Sequence, residues 1–578
     1  MEYVEAHDSI LQPIKEPLSQ SYIKAATSHQ PDNRTLLDYM REQKDNEKEA
    51  VVFIGSDGNR SDVLTFKDWA ESSQDLAVSL SMLGLRPNDF MGIMGPNCRE
   101  FVCSFGAALN LSVVPVLLSF NLVSGDDLVG HVKECNIRAI IVDINEAPKK
   151  DIVLKVFAKV LRGEIDDEIP SLRHVIVVTN DEVPKGAINY KSLMGRKSEE
   201  DKLQIADYTK GVTSESPLCV LLTSGSTGKP KYCILPQRAA QVQIYAGLRV
   251  GLVEGDRCFN DRPMSWVGGL ANLLATLIHK VTTVTVNANY AAGGVEKILR
   301  IIQDEKLALA VMFPYMMHDV LQLDDDIYSK YRLSTLKTVP TGGQRIDPQM
   351  VEEFKSKTGT NVIVLYGATE MSAVISCLFP KGNFTKQHQT VGYPLPHVEI
   401  CIQLEDGSIP PVNTLGEICV RGLPIFSRYL NNEARTNKVI GSDGWYHTGD
   451  IGTMTPYGYI TIAGRKNEFI KRGTVIVQPS SIEEEIRKHP DVQQVQVVGV
   501  PDPRLYEEVC ACIIPHNGKA LTRDNMKQWC ASIFGDITAD GISNAPRYYM
   551  ILDKFPLTSN GKIDRITLKE EAKKYLKL

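Results

Sequence analysis

Apolar positions along this chain recur with two periods, and their alternation predicts the layout of the fold. Short apolar runs at Val51–Ile54, Ala139–Asp143 and Val175–Val178 predict buried strands. Leu64–Asp68 opens another structured segment, and from Trp69 to Leu83 the apolar positions Leu76, Val78, Leu80 and Leu83 predict a helix that Gly84 stops. Residues 102–120 carry no charge. Asn110, Pro115 and several serines interrupt them, and β-branched residues follow Leu111, so they read as a buried helix giving way to a buried strand, not as a membrane span. Residues 144–170 are charged and irregular and read as a surface insertion or a peripheral helix.

A second block of the same kind runs from about Leu218 to Ser376, with strand candidates Leu218–Leu222, Val281–Val286 and Leu307–Val311. Apolar runs separated by helical patterns are what parallel strands covered on both faces require. After Val398 the pattern shifts to alternating strands and turns at Val398–Ile402, Glu417–Val420 and Tyr459–Ala463. Beyond Arg465 a compact tail follows. Pro479–Glu483 predicts a helix start with Ser480 as N-cap and Glu483 as its capping-box partner. Val495–Val500, Val509–Ile514 and a helical pattern from Thr522 to Ile533 come next. The expected architecture is α/β, with a large multi-subdomain N-terminal α/β domain (1–466) that includes the β-rich segment and a small C-terminal α/β domain (467–578).

At 578 residues, one hydrophobic core is not the expectation. A net charge of −6 gives no sign of a basic groove for nucleic acid, so small molecules or proteins are the expected partners. The twelve cysteines are dilute and form no Cys-x-x-Cys pair. Even Cys510 and Cys512, on a strand-like run whose successive side chains point to opposite faces, read as buried free thiols of a reducing compartment. The acidic start Met1–Glu5 lacks a signal-peptide pattern, which makes the cytoplasm the expected location. The terminal Leu576-Lys577-Leu578 matches a peroxisomal address only in its last two residues.

The strongest local feature is Leu222-Thr223-Ser224-Gly225-Ser226-Thr227-Gly228-Lys229-Pro230-Lys231. Four hydroxyls, two glycines and two lysines after an apolar run are able to fold backbone donors around phosphate, with Lys231 as a mobile positive charge. A solvated Gly/Ser hairpin has the same composition, and the Gly-Lys-Ser/Thr order of a Walker loop is absent.

With six further motifs, the chain resembles the adenylate-forming superfamily of acyl-CoA synthetases, adenylation domains and beetle luciferases, and within it the medium-chain fatty acyl-CoA ligases. The motifs stand in the family's order: TSGSTGKPK at 223–231, PMSW at 263–266, TGGQ at 341–344, YGATE at 366–370, GWYHTGD at 444–450, GRKNEFIK at 464–471 and PLTSNGK at 556–562. The resemblance implies that an organic acid is joined to AMP, with loss of pyrophosphate, before its acyl group passes to the thiol of coenzyme A. ATP and Mg²⁺ are the implied cofactors.

The resemblance also assigns roles. Thr223, Ser224, Gly225, Ser226, Thr227, Gly228 and Lys231 resemble the phosphate loop. Tyr366 packs against adenine, a flat base lying close to backbone at Gly367 and Ala368, with Gly343 and Gln344 beside it. Thr369 contacts phosphate and Glu370 coordinates Mg²⁺. Asp450 accepts the ribose hydroxyls, and Arg465 supplies donors to the same sugar. Lys562 bridges the acid and the α-phosphate and stabilises charge as pyrophosphate departs. Asn467 stands at the domain hinge, where Asp or Lys is more usual, and Lys471 belongs to the thioester-forming arrangement reached when the small domain rotates. Trp266 resembles the gate of the acyl pocket, with Gly268, Gly269, Ala373 and Val374 along its channel or wall. A core role for Trp266 and close packing for the small residues are the competing readings.

Several positions depart from the family pattern. Tyr232 replaces the glycine after the loop lysine, an expected source of crowding there, and Gln237 replaces a frequent histidine. Thr474 stands where a glycine usually lets the pantetheine arm pass, Ser481 replaces a Glu, and Tyr506 replaces the Gly before Glu507. Adenylation is therefore expected more firmly than transfer to CoA. The alternatives are an enzyme using a carrier-protein thiol, one that only adenylates, and an inactive nucleotide-binding protein.

Overall fold

The computed structural model describes residues 13–25, 31–120, 124–223, 230–286, 294–343, 346–379, 390–472, 475–516, 518–534, 545–557 and 563–578. Two large mixed sheets dominate. The first has eight strands, in the order Arg428–Tyr429, Lys231–Pro236, Pro217–Thr223, Val114–Leu118, Phe90–Met94, Ile137–Asp143, His174–Val178 and Ile188–Asn189. From Pro217–Thr223 onward its neighbours pair in parallel, and the other end is antiparallel. The second has nine strands, from Tyr393–Pro394 through Asn361–Tyr366, Thr338–Gly342 and Arg257–Asn260 to Arg60–Thr65, parallel in its centre.

Helices fill the space between these sheets and cover both outer faces. The largest core cluster takes in Trp69, Phe105, Val242 and Leu273, from four helices that share one layer between the two sheets. Two of them approach so closely that a Cβ on Gly106 would lie 2.2 Å from Ser73 Oγ. Trp69 is fully buried and its indole N–H donates to Val102 O at 3.2 Å. A second cluster lines the outer face of the nine-stranded sheet and a third that of the eight-stranded sheet. This layering explains why the predicted strands read as unbroken apolar runs.

Most expected elements are present, with shifted ends. The helix expected from Trp69 begins at Phe66, because Thr65 at the end of a strand turns its hydroxyl onto the Asp68 N–H and caps it. The uncharged stretch resolves into helix Arg99–Leu111, a left-handed turn at Ser112 and strand Val114–Leu118. Helices Ala147–Val156 and Ala158–Leu161 occupy the irregular segment. The expected strand at Leu307–Val311 shrinks to Leu309–Ala310.

An antiparallel five-stranded sheet, which includes Val398–Gln403, Gly416–Gly422, Tyr446–Met454 and Ile460–Arg465, follows the two large sheets. A fourth sheet, built from strands between Ile470 and Ile551, carries its own apolar clusters. The predicted capping box there is corrected. The helix starts at Pro479 with Gln478 as N-cap and no side-chain cap bond. Ser480 Oγ instead donates to Ala463 O, and Glu483 accepts from Val497 N and Arg565, because both side chains join the helix to other strands. Cys510 and Cys512 are free and buried in the same cluster. No helix among the described residues is long and apolar enough to cross a membrane.

The fourth sheet is tied internally by a buried bidentate pair. Arg472 Nε and Nη2 lie 2.8 Å from the two oxygens of Glu508, which is 1% exposed. Arg472→Met would leave that carboxylate buried without its cation. We expect a loss of about 3–5 kcal/mol, read as a lowered thermal or urea midpoint, with Arg472→Met/Glu508→Leu recovering most of it.

Candidate active site

Among the described residues, Thr223, Lys231, Tyr366, Glu370, Asp450 and Arg465 gather where the three N-terminal sheets meet. Thr223, Gly342 and Tyr366 end parallel strands of the two large sheets, and ligands of open α/β sheets bind outside such carboxyl ends. Lys231 starts the strand paired to Thr223, opposite it in register. Asp450 and Arg465 face each other across two strands of the antiparallel sheet.

Two charged clusters result. In the first, Lys231 Nζ lies 3.1 Å from Glu370 Oε1, and Tyr429 donates its hydroxyl to the same oxygen at 2.8 Å. Glu370 sits in a single 3-10 turn, Thr369–Met371, and is 6% exposed. Burial opposes its charge, but the Lys231 ammonium and the Tyr429 hydrogen bond outweigh it and hold the carboxyl below the usual range. In the second cluster, Asp450, 4% exposed, receives the Tyr366 hydroxyl at 2.5 Å and pairs with Arg465 Nε at 2.7 Å. Burial and then the Asp450 carboxylate push the Tyr366 phenol well above its usual value, so it remains a proton donor. The Arg465 side chain is half exposed and reaches a ligand more readily than Asp450 does. Tyr446 joins the clusters: burial, then the Glu370 charge, raise its phenol, and Asp450 adds to the effect.

Three buried hydroxyls among the candidate motifs, Thr223 Oγ1, Ser265 Oγ and Thr341 Oγ1, lack partners among the described residues. The glycines here are close-contact positions. A Cβ on Gly367 would lie 2.0 Å from Ala373 O, where Ala373 itself holds φ +83°, and one on Gly269 would lie 2.1 Å from Pro263 O. Gly268 borders Arg262, Gly343 holds φ +77° beside Phe313, and Ala368 precedes the Glu370 turn in extended backbone. Trp266 is half-buried as the N-cap residue of helix Val267–His279, and Val374 is buried. Asn467 is exposed in a turn, and Lys471 is exposed with its N–H donating to Glu507 at 3.0 Å. Ser224, Gly225, Ser226, Thr227, Gly228, Gln344, Thr474 and Lys562 lie outside the described residues.

Two residues absent from the sequence expectations build the site. Tyr429 completes the Lys231–Glu370 cluster. Asn97 fixes the 263–266 loop, donating to Arg262 O at 2.8 Å and accepting from Met264 N at 2.8 Å. Neither belongs to a spaced motif, although Asn97 in Pro96-Asn97 carried a turn signal.

Residues 40–430 match the AMP-binding enzyme family, and residues 481–562 match the AMP-binding enzyme C-terminal domain. The chain belongs to the AMP-binding enzyme family. Its relatives place it in the acyl-CoA synthetase group of that adenylate-forming superfamily. The medium-chain acyl-CoA ligase ACSF2, mitochondrial, of Danio rerio is 29% identical over 97% of this chain and 92% of its own length. Among solved structures, ATP-bound MatB from Rhodopseudomonas palustris aligns with a TM-score of 0.77 at 19% identity, covering 94% of this chain and all of that one. The anthranilate CoA ligase AuaEII in complex with anthranoyl-AMP gives 0.76 at 20% identity, over 94% and 98%. These structural likenesses concern the fold.

For this family member, the Tyr232 departure has a structural account that differs from crowding. Successive strand residues face opposite ways. Lys231 therefore meets Glu370, while Tyr232 enters the core on the other face and its hydroxyl meets His131 Nδ1 at 2.8 Å. We expect Tyr232→Gly, the family's usual residue, to destabilise the protein by about 3–5 kcal/mol without tightening nucleotide binding. Urea unfolding and ATP titration check the two parts.

Proposed function

We propose that this enzyme activates a carboxylic acid with ATP and transfers the acyl group to coenzyme A. The carboxylate oxygen attacks the α-phosphorus, the bond to the bridging oxygen of the β-phosphate breaks, and pyrophosphate leaves. A thiolate then attacks the acyl carbon of the acyl-adenylate and AMP departs. One observation carries this reading: a cluster suited to polyphosphate, Lys231 with Glu370, lies next to one suited to a nucleoside, Tyr366 with Asp450 and Arg465, in a chain of the AMP-binding family.

Within this reading, residues 1–466 hold the nucleotide and the acid, and 467–578 form a lid. The loop 223–231 receives the phosphates, with Thr369 beside them. Tyr366, Gly367, Ala368, Gly343 and Gln344 receive adenine, and Asp450 with Arg465 the ribose. Trp266, Ala373 and Val374 bound the acyl chain, whereas Gly268 and Gly269 let the 263–266 loop pack closely. Glu370 offers one buried, ionised carboxylate, which fits a Mg²⁺ that takes its other ligands from water and phosphate. That ion, when bound, neutralises phosphate charge as the acid approaches. Lys562 contributes its ammonium to the charge developing at the α-phosphate.

A second reading, adenylation with a carrier-protein acceptor or none, is favoured by the thiol side of the small domain. Tyr506, standing where the family has glycine, is 81% exposed at φ +66°, a conformation that suits glycine.

The decisive experiment is ATP–pyrophosphate exchange across short, medium and long fatty acids and aromatic acids, followed by thioester detection with CoA. Exchange without any thioester would select the second reading, and binding of ATP without exchange for any acid would leave an inactive nucleotide-binding protein. Lys562→Ala is expected to lower exchange by about 10²–10³-fold while sparing CoA transfer from supplied acyl-AMP; unchanged exchange removes that role. Thr474→Gly is expected to speed the second step only, seen as a lower KM for CoA or faster transfer.

A further inference from the structure

Tyr429 occupies a position that the adenylation reading of this site does not use. It lies on the edge strand Arg428–Tyr429, opposite Cys233 in register, and is 2% exposed. The surrounding backbone is pinned: Ser427 N donates to Ile234 O at 2.9 Å, Leu430 N to Tyr232 O at 2.8 Å, and Tyr429 N to Thr436 Oγ1 at 3.0 Å. Phe426 N donates to the carbonyl of Glu370 itself at 3.0 Å, and the Phe426 ring packs 4.7 Å from that of Tyr429. One short segment therefore grips Glu370 by both its backbone and its carboxylate.

The hydroxyl geometry sets who donates to whom. A phenol has a single proton, and here it goes to Glu370 Oε1 at 2.8 Å, so the oxygen is left to accept from Lys231 Nζ at 3.3 Å. Lys231 contacts the same Oε1 at 3.1 Å. In the adenylation reading, Lys231 serves phosphate and Glu370 serves a divalent cation, which requires them to let go of each other. A carboxylate held by Lys231 alone would lose its only partner at that moment. The phenol stays with it.

We propose that Tyr429 is the positioning residue for cation binding at Glu370, its hydroxyl keeping that carboxylate oriented when Lys231 turns to the nucleotide. The inference rests on the adenylation reading but concerns nucleotide binding, so it is tested without turnover. Calorimetric titrations of ATP into the full-length protein, with Mg²⁺ and separately with EDTA, compare wild type with Tyr429→Phe, which keeps the ring and removes the hydroxyl. Loss of one hydrogen bond to a charged group predicts about tenfold weaker binding of Mg-ATP, with metal-free ATP changed less than about threefold; the thermal midpoint of the unliganded protein falls as well, because the same bond is present there. Equal loss in both titrations, or none in either, overturns the proposal, as does wild-type protein that binds no Mg-ATP.

Glu370→Gln supplies the second arm, because it removes the charge that Tyr429 would orient. Adding Tyr429→Phe to Glu370→Gln should weaken Mg-ATP binding no further, whereas a full additional tenfold loss would show that Tyr429 acts elsewhere and overturn the proposal. Acid-dependent pyrophosphate exchange by the wild type reports separately on the adenylation reading. Its absence, with the Mg²⁺-specific loss intact, would sink that reading and leave the role of Tyr429 standing.

Discussion

A carboxylate buried to 6% exposure stays charged only if other groups supply what water no longer does. Glu370 imposes that requirement on three separate pieces of chain. Lys231 must start its strand at the right height, the short strand Arg428–Tyr429 must add to the edge beside it, and the turn Thr369–Met371 must leave the end of the second large sheet at the same place. The two large sheets are thus tied together by electrostatics at the site as well as by the apolar helix layer between them. Asp450 repeats the arrangement with Tyr366 and Arg465 and brings in the antiparallel sheet.

The layers of the fold were legible because parallel strands buried on both faces write themselves as apolar runs. Val51–Ile54, Ala139–Asp143 and Val281–Val286 could be read in this way without any partner being known. Strand ends were less legible. Leu307–Val311 and Leu309–Ala310 differ because pairing, not apolarity, decides where a ladder stops. At Pro479–Glu483 a local cap signature was present, but Ser480 and Glu483 found partners far along the chain in Ala463 and Arg565. Long-range hydrogen bonds of this kind leave no spacing in the sequence.

The site divides along the same line. Lys231, Glu370, Tyr366, Asp450 and Arg465 stood in dense motifs of glycines, hydroxyls and charges, and the fold brings them into two adjoining clusters. Tyr429 and Asn97 act through contacts made only by tertiary structure. Tyr232 shows the reverse: a departure next to a motif looked like a change to the phosphate loop, but strand alternation sends its ring into the core on the other face.

Under the proposed two-step function, the way the small C-terminal sheet is attached bears on how the second step would follow the first. Near the turn that holds Asn467, Ala463 O accepts from both Gln478 and Ser480 at the start of the helix Pro479–Arg487. A typical hydrogen bond contributes about 0.5–1.5 kcal/mol net, so a rotation about Asn467 that gave up these two would meet a modest local cost. The internal fabric of the small unit is much stronger, with Arg472 and Glu508 buried together and Arg565 joined to Glu483. Under the proposed function, a unit held together in this way keeps its own shape as it turns between the two steps.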